Sequence, residues 1–414
     1  MKDDRLRVEQ KVLNIVVIVA ALGYFVDIYD LILFSIVSVD SLKSFGLSGD
    51  ALTDTKIYLL NTQMIGMLIG GVLWGILGDK RGRLSVLFLT IVLYSFANIA
   101  NGMVQNIQQY FICRFLAGVG LAGELGVGIT LVSEVMSKER RGYGTTIVSS
   151  VGIAGAVAGY FVATYYNWRI AYYTGGGLGL ALLLLRVSVY ESGMFSKIKR
   201  EKASRGDFIA LFRDRKRFAK YLRCILIGVP VWYVIGILIF LSPDLSAKDV
   251  LNIQGVVDVK KAVMVHYAGA SIGALLTGLL SQWLHSRKKA LLASLFLLVP
   301  PIAWMLAAKE VNLNTFYLIL FILGLPNGYW SVFVTIASEQ FGTNLRATVT
   351  TTVPNFVRGL VPAITTSFIF LVKGGCGKLS AAIILGVVII GLAVYSAFTM
   401  EETYHKELDY LEEC

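Results

Sequence analysis

The chain has 414 residues, of which 56% are hydrophobic and 16% charged, with a formal net charge of +11. Ordinary soluble domains run nearer ~45–50% apolar and ~25% charged, which excludes a chain dissolved throughout in water. The positive balance invites nucleic acid as a partner, but its placement excludes that: with the N-terminus inside, inner segments hold 25 Lys/Arg and outer loops 9, and Arg114, Arg186, Arg223 and Arg358 lie in or at the edge of apolar runs, the positive-inside pattern of a multi-pass membrane protein.

Twelve apolar blocks, each long enough for the ~20 residues a helix needs to cross a bilayer, are predicted over 12–37, 57–77, 84–104, 109–136, 144–165, 168–189, 221–241, 261–284, 289–308, 314–338, 347–372 and 379–399. The first block outruns the ~7–15 residue core of a cleavable signal, and no small-residue cleavage site follows it. The expected fold is an all-α membrane protein of twelve transmembrane helices in two six-helix bundles, related by a pseudo-twofold axis along the membrane normal. Residues 1–189 form the first bundle, 190–220 a basic cytoplasmic linker, 221–400 the second bundle and 401–414 a short acidic cytoplasmic tail. The linker's basic run also suits contact with anionic lipid, as a secondary role. Cys113, Cys224, Cys376 and Cys414 have no paired spacing, so neither disulfide framework nor zinc site is expected.

In chain order, the first helix carries Asp27, Tyr29 and Asp30 in "DIYD". Three residues apart, Asp27 and Asp30 share a helix face. Two poorly solvated carboxylates that close are not expected both to stay ionised, so one holds a proton; the alternative is a static salt bridge with Arg114. The loop "GILGDKRGR" (75–83) follows the second helix, with glycines for a tight turn, Asp79 to accept from a neighbouring helix N-terminus and Arg83 to pair with an acid. The fourth helix carries Arg114 and Glu124 among Gly118, Gly120, Gly123, Gly126 and Gly128, which permit close packing and turn Glu124 inward. "SEVMSKERRGYGT" (133–145) is echoed by "SEQFGTNLRATVT" (338–350), so Glu134 and Arg141 in one half match Glu339 and Arg346 in the other. Each end-of-helix Glu is expected to latch onto an Arg across the inner gate when that gate is closed. In the eleventh helix, Arg358 between Pro354 and Pro362 either holds an anionic group of a substrate or balances Glu124.

At ~1.5 Å per residue, Asp27, Asp30, Arg114, Glu124 and Arg358 lie ~17–33 Å above the inner edge. Ionisable groups at such depths mark a pathway or a proton site by default. Gln63, Asn98, Asn101, Trp232, Tyr233, Asn327 and Trp330 are further candidates for lining a route between parallel repeats. His266 is read as a solvated or satisfied imidazole.

The 75–83 loop in a twelve-span chain resembles the major facilitator superfamily, although its second-half counterpart "SQWLHSRKKA" (281–290) keeps only the basic character. "DIYD" (27–30), "RFLAGVGLAGE" (114–124, with Ala122 where Gly is usual) and "YESGMF" (190–195, with Gly193 where Pro is usual) are similar to elements of metabolite/proton symporters. Phosphate porters carry Asp at the place of Glu124, and sugar porters carry Trp where Val334 stands, so both neighbours are disfavoured. The resemblance implies proton-coupled import of a small carboxylated metabolite (organic acid, amino acid or betaine) by alternating access. Asp27, Asp30, Glu124 and Arg114 would couple to protons. Arg358 would meet the substrate carboxylate, with Gln63, Tyr29, Trp232, Tyr233, Asn327 and Trp330 around it. The expected partners are the substrate, protons and the lipid bilayer, with no cofactor or nucleic acid, for a monomer in a bacterial inner membrane with both termini cytoplasmic. The alternatives are a proton-driven exporter or a sugar or phosphate porter. An intramembrane enzyme would need a pattern such as H-E-x-x-H, and a primary pump the G-x-x-x-x-G-K-S/T loop; neither occurs.

Overall fold

A computed structural model describes residues 15–81, 83–126, 129, 132, 136, 138–191, 208–404, 406 and 412, with the side chains of 15, 16, 78–81, 83–85, 138–141, 188–191, 343, 344 and 347 outside that description. Of the expected gate residues, Glu134 and the side chains of Asp79, Arg83 and Arg141 therefore lie outside the described residues. Among the described residues, eleven helices are long and apolar enough to cross a membrane. They are α1 Val17–Ser44, α2 Gly49–Leu77, α3 Val86–Met103, α5 Gly142–Tyr165, α6 Trp168–Val187, α7 Arg215–Ile239, α8 Val259–Trp283, α9 Arg287–Ala307, α10 Leu313–Glu339, α11 Thr348–Lys373 and α12 Lys378–Thr399. Between α3 and α5, α4 is described over Ile107–Leu121. The result is two six-helix bundles, with helix ends alternating between a side that carries the linker, here the linker side, and a distal side.

Polar residues placed just before apolar runs start these helices. The side chains of Asn106, Asp214, Asp258, Ser286 and Asn312 each accept a backbone N–H from the first turn of α4, α7, α8, α9 and α10, a cap typically worth ~1 kcal/mol. Asp214 moves the start of α7 to Arg215, inside the segment read from sequence as linker. Burial then sorts the helices: it reaches 83% in α1, 83% in α7 and 78% in α10, against 39–56% in the other spans. α1, α7 and α10 thus sit centrally, while the others turn large apolar side chains such as Leu184, Phe370 and Tyr395 outward, as a hydrocarbon solvent allows. The halves meet along α2 with α11 and α5 with α8. Ser150 and Ser271 each donate to the other's carbonyl across the second of these seams, at 2.8 and 2.7 Å.

The second half is locally irregular at the same depth in three helices. α7 contains Pro230 and a π-helical turn, Val234–Ile239; α10 breaks at Gly328 and Tyr329 just after Pro326; α11 breaks at Leu360, between Pro354 and Pro362. Proline removes a backbone donor and displaces the turn before it, so side chains at such breaks leave the regular helical stripe. The tail begins as a docked strap. Glu402 accepts the hydroxyl of Ser286 and the backbone N–H groups of Arg287 (2.9 Å) and Lys288 (3.3 Å) at the start of α9.

Candidate functional site

The irregular turns of α7, α10 and α11 bring Trp232, Asn327, Trp330 and Arg358 to one central cavity, closed on the first-half side by Tyr24 and Ile28 of α1 and Ile153 of α5. Its volume is about 30 Å³, the share of one water molecule in the liquid. Its polar atoms are unusually unsatisfied. Arg358 is 1% exposed and gives one long hydrogen bond to Asn355, 3.4 Å, while its Nε and Nη2 make none. The guanidinium lies 5.8 Å from the Trp232 ring and 5.6 Å from the Trp330 ring. The Tyr24 hydroxyl, the Trp330 indole nitrogen and Asn327 Oδ1 are also buried without a hydrogen bond. Buried polar groups are nearly always paired, so a cluster of unpaired ones around a cation marks a place for something else. His266 is fully buried rather than solvated: Asn327 Nδ2 meets its Nε2 at 3.1 Å and the Leu320 carbonyl meets its Nδ1 at 3.3 Å. With the amide donating to Nε2, the ring proton sits on Nδ1 and the imidazole is neutral.

Beside this cavity lies a buried set of three acids and three arginines: Asp27, Asp30, Glu124, Arg114, Arg186 and Arg358. Glu124 is paired with Arg186 of α6 through both carboxylate oxygens, one contact at 2.8 Å. The balancing of Glu124 expected of Arg358 thus falls to Arg186, which was read only as a charge at the edge of a span. Gly23 of α1 makes room for this pair, since a Cβ there would collide with Arg186 Nη2. Arg114 gives its hydrogen bonds to three neutral amides, Gln63 (3.0 Å), Asn98 (3.2 Å) and Asn101 (3.3 Å), and lies over Tyr172 at 5.1 Å. Asp27 and Asp30 are both fully buried and their four carboxylate oxygens accept no hydrogen bond. They share one helix but differ in their neighbours: Asp27 feels Arg358, Glu124 and Arg186, whereas Asp30 feels Arg114 and Asp27 itself and adjoins Asn98.

Two expected lining residues bond to backbone carbonyls instead. The Tyr29 hydroxyl donates to the Ala171 carbonyl of α6 (3.0 Å) and the Tyr233 hydroxyl to the Ala382 carbonyl of α12 (2.7 Å). Of the latch residues, Glu339 pairs with Arg287 at 3.4 Å and accepts the Thr403 hydroxyl at 2.9 Å, and Arg346 donates to the Ser338 carbonyl at 3.1 Å. Described residues bridge the two halves at both ends of the route. On the distal side, Lys56 of α2 meets Asp244 just beyond α7 at 3.3 Å, Lys260 pairs with Asp40, and Thr365 donates to Asn61 at 3.0 Å. On the linker side, Thr335 donates to Thr145 at 3.1 Å, and Gly142 packs directly against Gln282 and Arg287.

The sequence profile of the Major Facilitator Superfamily matches residues 15–366. The chain belongs to this superfamily. This major facilitator is similar to a protein named probable 4-methylmuconolactone transporter in Cupriavidus pinatubonensis, with 27% identity over 79% of this chain and 76% of the relative. It is also similar to the cis,cis-muconate transport protein of Acinetobacter baylyi, with 26% identity over 99% and 98% of the two chains. Among solved structures, the proton:xylose symporter XylE matches with a TM-score of 0.70 over 95% of this chain and 97% of that one, at 17% identity, which speaks to the fold. The chain is therefore a multi-pass membrane transporter. Sequence reasoning missed Tyr24, Arg186 and Tyr267, the last a further lining residue of the central cavity, from α8. Arg186 carried a signal, an ionisable side chain in the apolar run "LALLLLRVSVY", whereas nothing in the sequence separates Tyr24 or Tyr267 from packing tyrosines.

Proposed function

We propose that this transporter imports a small organic acid together with protons by alternating access. The observation that carries the reading is Arg358, a buried guanidinium with two free N–H edges, flanked by two tryptophans, at a cavity built from both halves. A carboxylate is the group whose geometry such a fork matches, and the aromatic walls favour a flat or unsaturated carbon skeleton. The compounds named for the two relatives, a muconolactone and muconate, fit that description.

Asp27 and Asp30 are the proton carriers in this reading. An ionised carboxylate buried without donors is costly, and taking up a proton removes the cost. Asp27 stands within electrostatic reach of Arg358, so its charge competes with the cargo's for the same guanidinium: protonated, it leaves Arg358 to the substrate; ionised, it replaces the substrate. Glu124 and Arg186 hold each other and set the frame. In this reading the linker and both chain ends face the cytoplasm of a bacterial inner membrane, an orientation that the positive-inside count favours, and the protein acts as a monomer.

The test is uptake of radiolabelled small carboxylates into proteoliposomes under an imposed pH gradient. Import should rise when the interior is alkaline, and Asp27→Asn or Asp30→Asn should remove that dependence. Arg358→Gln should lower uptake by about tenfold or more, the loss expected for a charge-assisted hydrogen bond left unmade. Uptake indifferent to the gradient in wild-type vesicles defeats the coupling, and accumulation against an outward substrate gradient only when the pH gradient is reversed makes the protein an exporter.

A further inference from the structure

Away from the central cavity, the linker-side ends of α7, α10 and α12 enclose a second, larger pocket of about 710 Å³. Arg215, Lys216, Arg217, Lys220 and Arg223 line it, with Gln340, Met400 and Glu401 opposite. Asp214 and Glu401 border it as well, so five basic side chains face three carboxylates, and one of these is held by the cluster itself: Glu412, from the tail, meets Lys220 at 2.7 Å and Arg217 at 3.8 Å, and accepts the Gly342 backbone N–H at 3.4 Å. The surrounding surface is oily. Ile209, Phe212, Phe218 and Leu222 are 64%, 46%, 39% and 40% exposed, beside the basic cluster where a membrane-spanning helix begins. Basic side chains next to exposed aromatic and aliphatic ones at that level are the two contacts of an interfacial segment with a phospholipid, headgroup and acyl chain.

We propose that this pocket is a binding site for the phosphate of an anionic phospholipid, and that Glu412 is an internal stand-in which that phosphate displaces. The chain thus carries its own competitor, and lipid binding releases Glu412 from the start of α7. The inference does not depend on what the central cavity transports.

Native mass spectrometry of the full chain in detergent, titrated with phosphatidylglycerol, phosphatidylcholine and inorganic phosphate, tests it. Phosphatidylglycerol should bind at lower concentration than phosphatidylcholine, by about fivefold for each basic side chain engaged. Arg217→Gln with Lys220→Gln should erase that preference, and Glu412→Gln should sharpen it by tightening phosphatidylglycerol alone. Equal binding of the two lipids, a preference unchanged in Arg217→Gln/Lys220→Gln, or no gain in Glu412→Gln overturns the proposal. Inorganic phosphate that displaces phosphatidylglycerol at equal concentration also overturns it, because the site then serves a soluble anion. Should the double variant fail to fold, Glu412→Gln, whose loss removes no basic residue, decides alone.

Discussion

Glu124 and Arg186 are 2% and 6% exposed at their side chains and grip each other through two contacts. Removing one partner from a buried pair strands the other charge, at a cost of about 3–5 kcal/mol, whereas replacing both with apolar groups of similar size is often neutral. Glu124→Gln and Arg186→Gln should therefore each lower the melting temperature in detergent sharply, and Glu124→Leu with Arg186→Met should recover most of it. A double variant as unstable as the sum of the singles would mean that the pair is not acting as a unit. The charged residues of this core were legible as charges: Asp27, Asp30, Arg114, Glu124 and Arg358 stand out in apolar runs, and all five are buried together. Their pairing was not legible, because helical spacing gives the face a residue occupies and not which neighbour packs there. Gly23 illustrates the gap: its missing Cβ matters only once Arg186 is seen against it.

Helix interiors and most helix ends were read well, but the end of α1 and the starts of α2 and α7 were misplaced, for one physical reason. Apolar runs report the length of the hydrocarbon layer, while polar first turns such as "GDALTDTK" of α2 are as helical as the rest and carry no apolar signal. The breaks in α7, α10 and α11 had their signal in Pro230, Pro326, Pro354 and Pro362, although the π-helical turn at Val234–Ile239 had none. At the linker side, burial disfavours charge on Glu402, but the Ser286 hydroxyl and the backbone N–H groups of Arg287, Thr403 and Tyr404 outweigh it and hold its carboxyl below the ordinary carboxylate range. A depressed native value means that the contact stabilises fully above the ordinary Glu pKa of ~4.3 and fades as pH falls through the lower, native one. Glu402→Gln should thus melt below wild type at neutral pH, with the difference closing in strong acid. A gap that stays constant from pH 7 to pH 3 would show that the charge of Glu402 contributes nothing.

At the scale of the molecule, contacts between the halves at both ends of the route flank a central cavity of about 30 Å³, without room for cargo. Among the described residues, the seams that must part include Thr145 with Thr335 and Gly142 with Gln282 and Arg287 on one side, and Lys56 with Asp244, Lys260 with Asp40 and Asn61 with Thr365 on the other. Thr145→Cys with Thr335→Cys, in a chain otherwise stripped of cysteine, should form a disulfide on oxidation that stops uptake, and reductant should restore it. Full transport by the oxidised protein would show that this seam need not open. The two-bundle plan was visible in the sequence from twelve apolar blocks, a basic centre and the echoed Glu and Arg spacing. The contacts that bridge the halves were not, because open and closed arrangements use the same helices and differ only in which ends touch.

The strap formed by Glu402 and Thr403 bears on laboratory practice. Cutting the chain after Met400 would bare the first N–H groups of α9 and leave Glu339 without the Thr403 hydroxyl beside the seam that Gly142 shares with Arg287. A purification handle or fluorescent reporter is therefore better fused ahead of Met1 than built onto a shortened C-terminus.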